Sequence, residues 1–416
     1  MVYFFRSFLL TLTNNFILFY IFEIDINILI YLSRQHEIKM TNLNPTRKKT
    51  YFGFLGIFIW SLFGCSHQHR FIKSDYFRFL DQVASENQAN EPSNQIFICD
   101  RARLKSVSTN FPLEQPAIDF SALTENYSPV SAQEYLLKRA SENEILILNE
   151  AHHYPSHRIF ARKLLAGLWA QGYRYLGLEA LTMFADFKQP AYPLSSLGYY
   201  CNEPMFAHFI REAIGLGFIL FPYESSKHGK ERELEQATTI ANFLKENTAG
   251  KTFIYCGYSH NNECEMPEWE KAMAGRLKEL TGLNPLTVDQ TSFNGISEIP
   301  LNESVVFVDS SKQSFLSSAC IDIYVFHPTI SFTEEKASWK TGHESQWIKV
   351  DFLPKQVAYP VLVFCFNSRK EVKDGVPFDC VEVLNETENE WICTPENQEF
   401  MLYALDKNKK IIPLKL

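Results

Sequence analysis

The segment EILILNEAHH, residues 144–153, decides how the chain is read: four aliphatic residues in a row stop at Asn149-Glu150-Ala151-His152-His153. Three further segments repeat the form, namely YRYLGLEA (173–180), FILFPYES (218–225) and KTFIYCGYSHNNE (251–263). Short, continuously apolar runs separated by stretches of helical period are what strands buried on both faces of a parallel sheet require. Such sheets bind ligands beyond the carboxyl ends of their strands. Glu150, His152, His153, Glu179, Glu224 and His260 are therefore expected along one edge. For any one of them the ordinary solvation of loops is a sufficient explanation; the repetition across four segments favours a site.

The intervening stretches read as helices. Ser131-Ala132-Gln133-Glu134 marks a helix start, and Ser156 is an expected N-cap for a helix carrying Ile159, Phe160, Leu164, Leu168 and Trp169 at helical spacing up to Gly172. Further helices are expected around 204–214, over 231–247 with Gly250 beyond it, and over 267–280 with Gly282 as the stop. The stretch 285–288 then adds a strand ending in Asp289-Gln290. This alternation predicts an α/β fold, a doubly wound, mostly parallel sheet with helices on both faces and right-handed crossovers. After residue 301 the helical period fades, and 305–308, 322–326 and 359–364 read as strands. A core over 131–300 and a β-rich C-terminal extension over 301–416, packed on that core, follow.

The front of the chain points to export. Arg47-Lys48-Lys49 precedes an apolar run that ends at Leu62-Phe63-Gly64-Cys65, too short for a comfortable membrane span. Residues 40–64 have the parts of a signal peptide, with Met40 the expected true start and 1–39 an upstream extension. The tetrapeptide is similar to a bacterial lipobox, which would make Cys65 the lipidated first residue, although Phe63 is bulkier than usual there. An ordinary cysteine after another cleavage site, or in an uncleaved anchor, is the alternative. Ser66 after the cysteine favours an outer membrane, facing the periplasm or the surface. Residues 65–130 read as a mixed polar segment. A membrane would be met only through the lipid.

The chain has 416 residues, a formal net charge of −8 and no basic block beyond the signal, which argues against nucleic acid as a partner. A small molecule or a peptide is the expected substrate. Eight cysteines follow Cys65 without a C-x-x-C pattern, and Cys380 with Cys393 is the first expected bridge, buried thiols being the alternative.

A carboxylate beside an imidazole serves to orient and charge a general base or to help hold a metal. His152, His260 and Glu179 would suffice as a first shell for zinc, manganese or iron, and equally for metal-free hydrolysis. The sequence lacks the H-E-x-x-H, G-x-S-x-G and G-x-G-x-x-G patterns, so it supports neither a zincin helix nor a serine elbow nor a dinucleotide. Arg158, Tyr223, Glu224, Arg232 and Tyr258 are secondary candidates for substrate contact; the alternatives are a solvated helix start for Arg158, a surface pair for Arg232 and simple packing for Tyr258.

The run Leu148-Asn149-Glu150-Ala151-His152-His153-Tyr154-Pro155, followed by Leu178-Glu179 and Gly257-Tyr258-Ser259-His260, resembles the superfamily joining erythromycin esterase-like proteins, ChaN-like haem-uptake lipoproteins and the Tiki/TraB group. The resemblance covers about residues 140–292. Asn149 departs from it, standing where a glycine is usual. The esterase-like spacing selects His153 as partner of Glu150 in activating water, with Glu179 and His260 completing the site. The Tiki-like spacing selects His152 and gives it, with His260, a divalent metal. The ChaN-like resemblance implies haem on exposed histidines and uptake without catalysis. A scaffold that has lost the chemistry is a further possibility.

Overall fold

The computed structural model describes residues 74–85, 97–98, 109–182, 187–330, 332–333, 336–337, 340, 345–388 and 390–416. The upstream extension, the signal and Cys65 lie outside the described residues. Among the described residues no helix is long and apolar enough to cross a membrane.

The main sheet has eight strands: β1 Ser128–Ser131, β2 Ile145–Glu150, β3 Tyr173–Leu178, β4 Ile219–Pro222, β5 Lys251–Gly257, β6 Leu286–Ile296, β7 Val305–Val308 and β8 Ile323–Pro328. Their order is β1-β7-β8-β6-β2-β5-β3-β4. The six strands from β8 to β4 run parallel, β7 lies antiparallel beside β8, and β1 pairs antiparallel with β7 at the edge. The fold is thus the expected α/β arrangement, and the sheet continues past residue 300 before the C-terminal strands begin.

Helices α1 Asp75–Ser85 and α2 Phe120–Asn126 precede the sheet, and α3 Ala132–Ala140 leads into β2. Helix α4 Pro155–Ala170 follows β2, and α5 Pro204–Leu216 follows β3. Both pack on one face, where Leu146, Leu148, Leu176, Leu178 and Phe253 meet Phe160, Leu164, Phe206 and Phe209. Helices α6 Gly229–Glu246 and α7 Met273–Thr281 cover the other face, on Ile145, Ile147, Phe221 and Ile254. Alternate residues of a strand point to opposite faces, so each strand must be apolar throughout, as the sequence is.

Right-handed crossovers explain the split. The chain moves from β2 to β3 and β4 in one direction, then returns to β5 and β6 in the other, so the later helices fall on the opposite face. The reversal places a switch point between the neighbouring strands β2 and β5, whose outgoing loops part to opposite faces and leave a crevice at the carboxyl ends.

Two helix boundaries differ from expectation. Helix α4 starts one residue before Ser156, at Pro155, because proline's fixed φ suits the first helical position. The segment from 267 does not extend a helix upstream of α7; Glu265–Met266 pairs with Glu270–Lys271 as a tight hairpin, and the left-handed φ of 60° at Glu270 is not a helical one.

The C-terminal part forms antiparallel sheets. Strand β9 Ser345–Lys349 is paired with a strand at Trp391–Pro395, and β10 Val361–Phe366 lies between Asp379–Val383 and Met401–Leu405, with Ile411–Leu414 outermost. This module docks on α5, where His208 Nε2 meets the Phe378 carbonyl at 2.8 Å and Arg211 pairs with Glu371. The expected Cys380–Cys393 bridge is not formed. A disulfide joins Cys264 and Cys320 instead, and Cys380 and Cys393 stay buried thiols.

Candidate functional site

Strand parity sorts the acids before any side chain is traced. Glu150 continues the Leu146 and Leu148 side of β2 and therefore faces α4 and α5. Glu179 falls on the opposite parity to Leu176 and Leu178 and faces α6. Two charged clusters result, one over each face of the sheet, and they meet above its edge.

In the first cluster Arg158, fully buried on α4, donates from Nε to Glu150 Oε2 at 2.7 Å and from Nη2 to Oε1 at 2.8 Å. Its Nη1 reaches Glu203 at 3.0 Å, and the same Glu203 carboxylate caps α5 by accepting from the backbone of Met205 and Phe206. The Tyr255 hydroxyl donates to Glu150 at 2.9 Å. His152 Nδ1 lies 2.9 Å from the remaining Glu150 contact, Oε1. Burial alone would raise the Glu150 pKa, but Arg158 and His152 outweigh it and hold the value at about 2. Glu150 is thus a fixed anion, and it sets His152 with Nδ1–H toward the carboxylate and a lone pair on Nε2.

In the second cluster Arg232 of α6 donates to Glu179 Oε1 at 2.8 Å and to Glu224 Oε1 at 2.9 Å, and its Nη1 stands 2.7 Å from His260 Nε2. Glu233, one residue on and fully buried, accepts His260 Nδ1–H at 2.8 Å and the Met273 N–H at 2.8 Å. His260 stacks flat on Trp269, with ring centroids 4.9 Å apart. Glu179 Oε2 accepts from the Gly257 N–H at 2.8 Å, and His260, His152 and Arg232 lower its pKa against the opposing effect of burial. Burial depresses the His260 pKa, yet the Glu179 and Glu233 carboxylates more than offset this and raise it. A guanidinium only donates, so with Arg232 in place His260 is neutral at Nε2, and protonation requires the guanidinium to leave.

Gly257 is where the clusters touch. A Cβ built on it would fall 2.5 Å from His152 Cε1, 2.6 Å from His152 Nε2 and 3.5 Å from Glu179 Oε1, so only a bare backbone lets the imidazole lie against the end of β5. Tyr200 stacks on the other side of the His152 ring at 4.1 Å and 16°. Tyr258 meets it edge-on. The backbone of Tyr258 adopts a left-handed φ of 39°, and Asn149 steadies it by donating to its carbonyl at 2.7 Å. Asn149 also accepts from the Gln290 N–H, which ties β2 to β6. That is the use of an asparagine where the resemblance leads one to expect glycine.

The sequence left His152 and His153 undivided, and the geometry separates them. His153 is buried, with Nδ1 on the Tyr258 hydroxyl at 3.1 Å and Nε2 on the Phe111 carbonyl at 3.2 Å, and burial lowers its pKa. Both of its nitrogens are occupied by the fold. His152 is 16% exposed at its side chain and touches Glu150.

Three expectations need correction. Arg158 cannot meet a substrate, since its guanidinium is sealed between Glu150 and Glu203. Tyr223 is also fully buried, its hydroxyl given to the Tyr255 carbonyl at 2.8 Å. The trio His152, His260 and Glu179 does not fit a metal: Arg232 occupies Glu179 Oε1 and His260 Nε2, the atoms an ion would need, and among the described residues no group of three His, Cys, Asp or Glu is placed to hold one. Arg232, Glu224 and Tyr258 do reach the edge, Arg232 by an inward pair. Sequence reasoning missed Glu203, Glu233 and Tyr255. Glu203 before Pro204 carried a helix-start signal; Glu233 was hidden in the uniformly charged run at the start of α6.

No protein-family model matches this chain, and no curated protein matches it. Among solved structures it shows distant similarity to bacterial toxin effector domains. One is the type III effector HopBA1, at 11% identity and TM-score 0.32 over 49% of this chain and 97% of that one. Another is RRSP, a MARTX toxin effector domain from Vibrio vulnificus CMCP6, at 14% identity and TM-score 0.27 over 50% of this chain and 44% of that one. A third, described as bacterial protein toxins, has 14% identity and TM-score 0.29 over 59% and 46%. The chain thus spans less than half the length of the last two.

Proposed function

We propose that the protein is a hydrolase of ester-type bonds that works without a metal, built on the erythromycin esterase-like, ChaN-like and Tiki-like motif pattern. The observation that carries the reading is the contact at Gly257, where the open Nε2 of His152 borders Glu179 and, through it, Arg232. His152 Nε2 takes a proton from water, and the hydroxide oxygen forms a bond to the substrate carbonyl carbon. Glu150, kept ionised by Arg158, stabilises the imidazolium. The Arg232 guanidinium faces the oxygen on which negative charge develops. As the tetrahedral species collapses, the bond to the leaving oxygen breaks and His152 returns the proton to it, releasing acid and alcohol. His260 and Glu179 act as positioning residues that hold Arg232.

Haem uptake, the other reading of the motifs, calls for exposed imidazoles; His153 and His260 have both ring nitrogens engaged and His152 alone keeps an open one, which gives the hydrolytic reading the better support. We also propose an exported, lipid-anchored location. The Cys264–Cys320 disulfide supports the export, since such bonds persist in oxidising compartments, and the anchor rests on the lipobox-like tetrapeptide alone.

The test is a panel of neutral esters offered to the purified full-length protein and to His152→Ala. Loss of roughly 10²–10⁴-fold in kcat/KM with an unchanged melting profile is expected for a general base. Equal rates in the two proteins, or no ester turned over, would sink the reading.

A further inference from the structure

Beside the His152 cluster lies a cavity of about 230 Å³ that no step above uses. It adjoins the site by two routes. On one side its wall residue Tyr199 packs edge-on against Tyr200 at 5.3 Å, and Tyr200 stacks on His152. On the other, Gly198 presses so closely on the residue after Glu179 that a Cβ there would fall 1.9 Å from the Ala180 carbonyl oxygen. The cavity therefore begins one ring beyond the proposed base and one residue beyond Glu179.

Its lining is uniform in chemistry. Phe79 and Tyr199 supply aromatic surface, Tyr199 being 39% exposed. Thr182 and Ser196 are exposed and present hydroxyls, and Gln82 adds an amide. The floor is rigid: Ser195 Oγ bonds to Asn202 Oδ1, while Asn202 Nδ2 donates to the carbonyls of Ser195 at 3.0 Å and Gly198 at 2.9 Å. Among the described residues no charged side chain lines the cavity.

Aromatic faces beside hydroxyls and amides, in a recess the size of one small ring, match an uncharged ring edged with hydroxyl groups. The ring's C–H face lies against the aromatic surface, and its hydroxyls exchange hydrogen bonds with groups that both donate and accept. An anion or cation would meet no counter-charge among the described lining residues, and a plain hydrocarbon ring would strand the polar groups. We infer that this cavity is a subsite for a single sugar ring, so that the ester handled at His152 is a sugar ester. The substrate class rests on the hydrolase reading; the sugar subsite does not.

The test is saturation-transfer NMR with a panel of methyl hexopyranosides on the full-length protein, with cyclohexanol as the apolar control. At least one glycoside should show transfer, persisting in His152→Ala and weakening at least fivefold in Tyr199→Leu and in the double variant Thr182→Ala/Ser196→Ala, which removes two exposed hydroxyls and leaves the floor intact. The subsite is overturned by no glycoside binding, by equal competition from cyclohexanol, or by binding unchanged in both variants. Glycoside binding with no ester turned over would remove the hydrolase and keep the subsite. His152-dependent hydrolysis with no glycoside bound would do the reverse.

Discussion

Three side chains share the carboxylate of Glu150, and the arginine among them fixes its charge. Arg158 has no water to fall back on, so replacing it with methionine of similar length leaves Glu150 and Glu203 buried with their partner gone. A loss of about 3–5 kcal/mol is expected, read as a lowered urea midpoint, because an unpaired buried charge costs far more than the pair contributes. A midpoint within error of the parent would show that both acids take up protons without cost. At the second cluster, Glu233→Gln keeps an acceptor for His260 Nδ1–H but removes one of the two carboxylates that raise the His260 pKa. His260 must be neutral to hold Arg232, and a raised pKa means this form is lost early as pH falls. The acid limb of kcat/KM should therefore move to lower pH in the variant, and an unmoved limb would separate His260 from turnover. Glu150, Glu179, His152 and His260 were legible in the sequence because each ends an apolar run. Arg158 was visible as a candidate yet misread as exposed, since one residue's helix position does not reveal the buried acid opposite it.

The segment leaving β5 carries the most consequence for its length. Within a few residues it must pass His152 at Gly257, turn through Tyr258 and deliver His260 to Glu233. Its far end is fastened by the Cys264–Cys320 bond and by the Glu263 N–H on the Cys320 carbonyl at 3.1 Å. With the two cysteines 56 positions apart, the chain-entropy model gives about 4 kcal/mol for this cross-link. Cys264→Ser/Cys320→Ser should lower the urea midpoint accordingly, and the parent in reductant should fall to the same value; a variant as stable as the oxidised parent would make the bond dispensable. The strands of the parallel core could be read because burial on both faces demands unbroken apolar runs. The pairing of Cys264 with Cys320 could not, since it depends on β8 standing next to β6, a neighbour relation that no local pattern encodes. The hairpin at 265–271 was obscured likewise, its helical spacing overruled by the left-handed backbone at Glu270.

Over the molecule as a whole, the buried histidines decide how folding responds to acid. Burial lowers the pKa of His153, takes that of His157 to about 4, and drives His208 and His327 well below the ordinary value. Unfolded, each binds a proton near pH 6.5. Between that pH and 4 the unfolded chain therefore holds more protons than the native one, and stability must fall as pH falls. His157 alone, fully buried against Asn294, accounts for roughly 3 kcal/mol across that window. His260 has the opposite sign, with a contribution present below pH 6.5 and lost as pH rises through its raised value, so it opposes the decline as a single group against four. Glu150, at about 2, keeps its contribution until pH drops below the ordinary carboxylate range and does not alter the slope above it. Urea midpoints at pH 7.5, 6.0 and 4.5 should decrease in that order, and His157→Asn should flatten the decline while shifting the neutral-pH midpoint less than the acid one. A profile level from 7.5 to 4.5 would mean that these imidazoles protonate in place, and that the interior around α4 admits water as the pH drops.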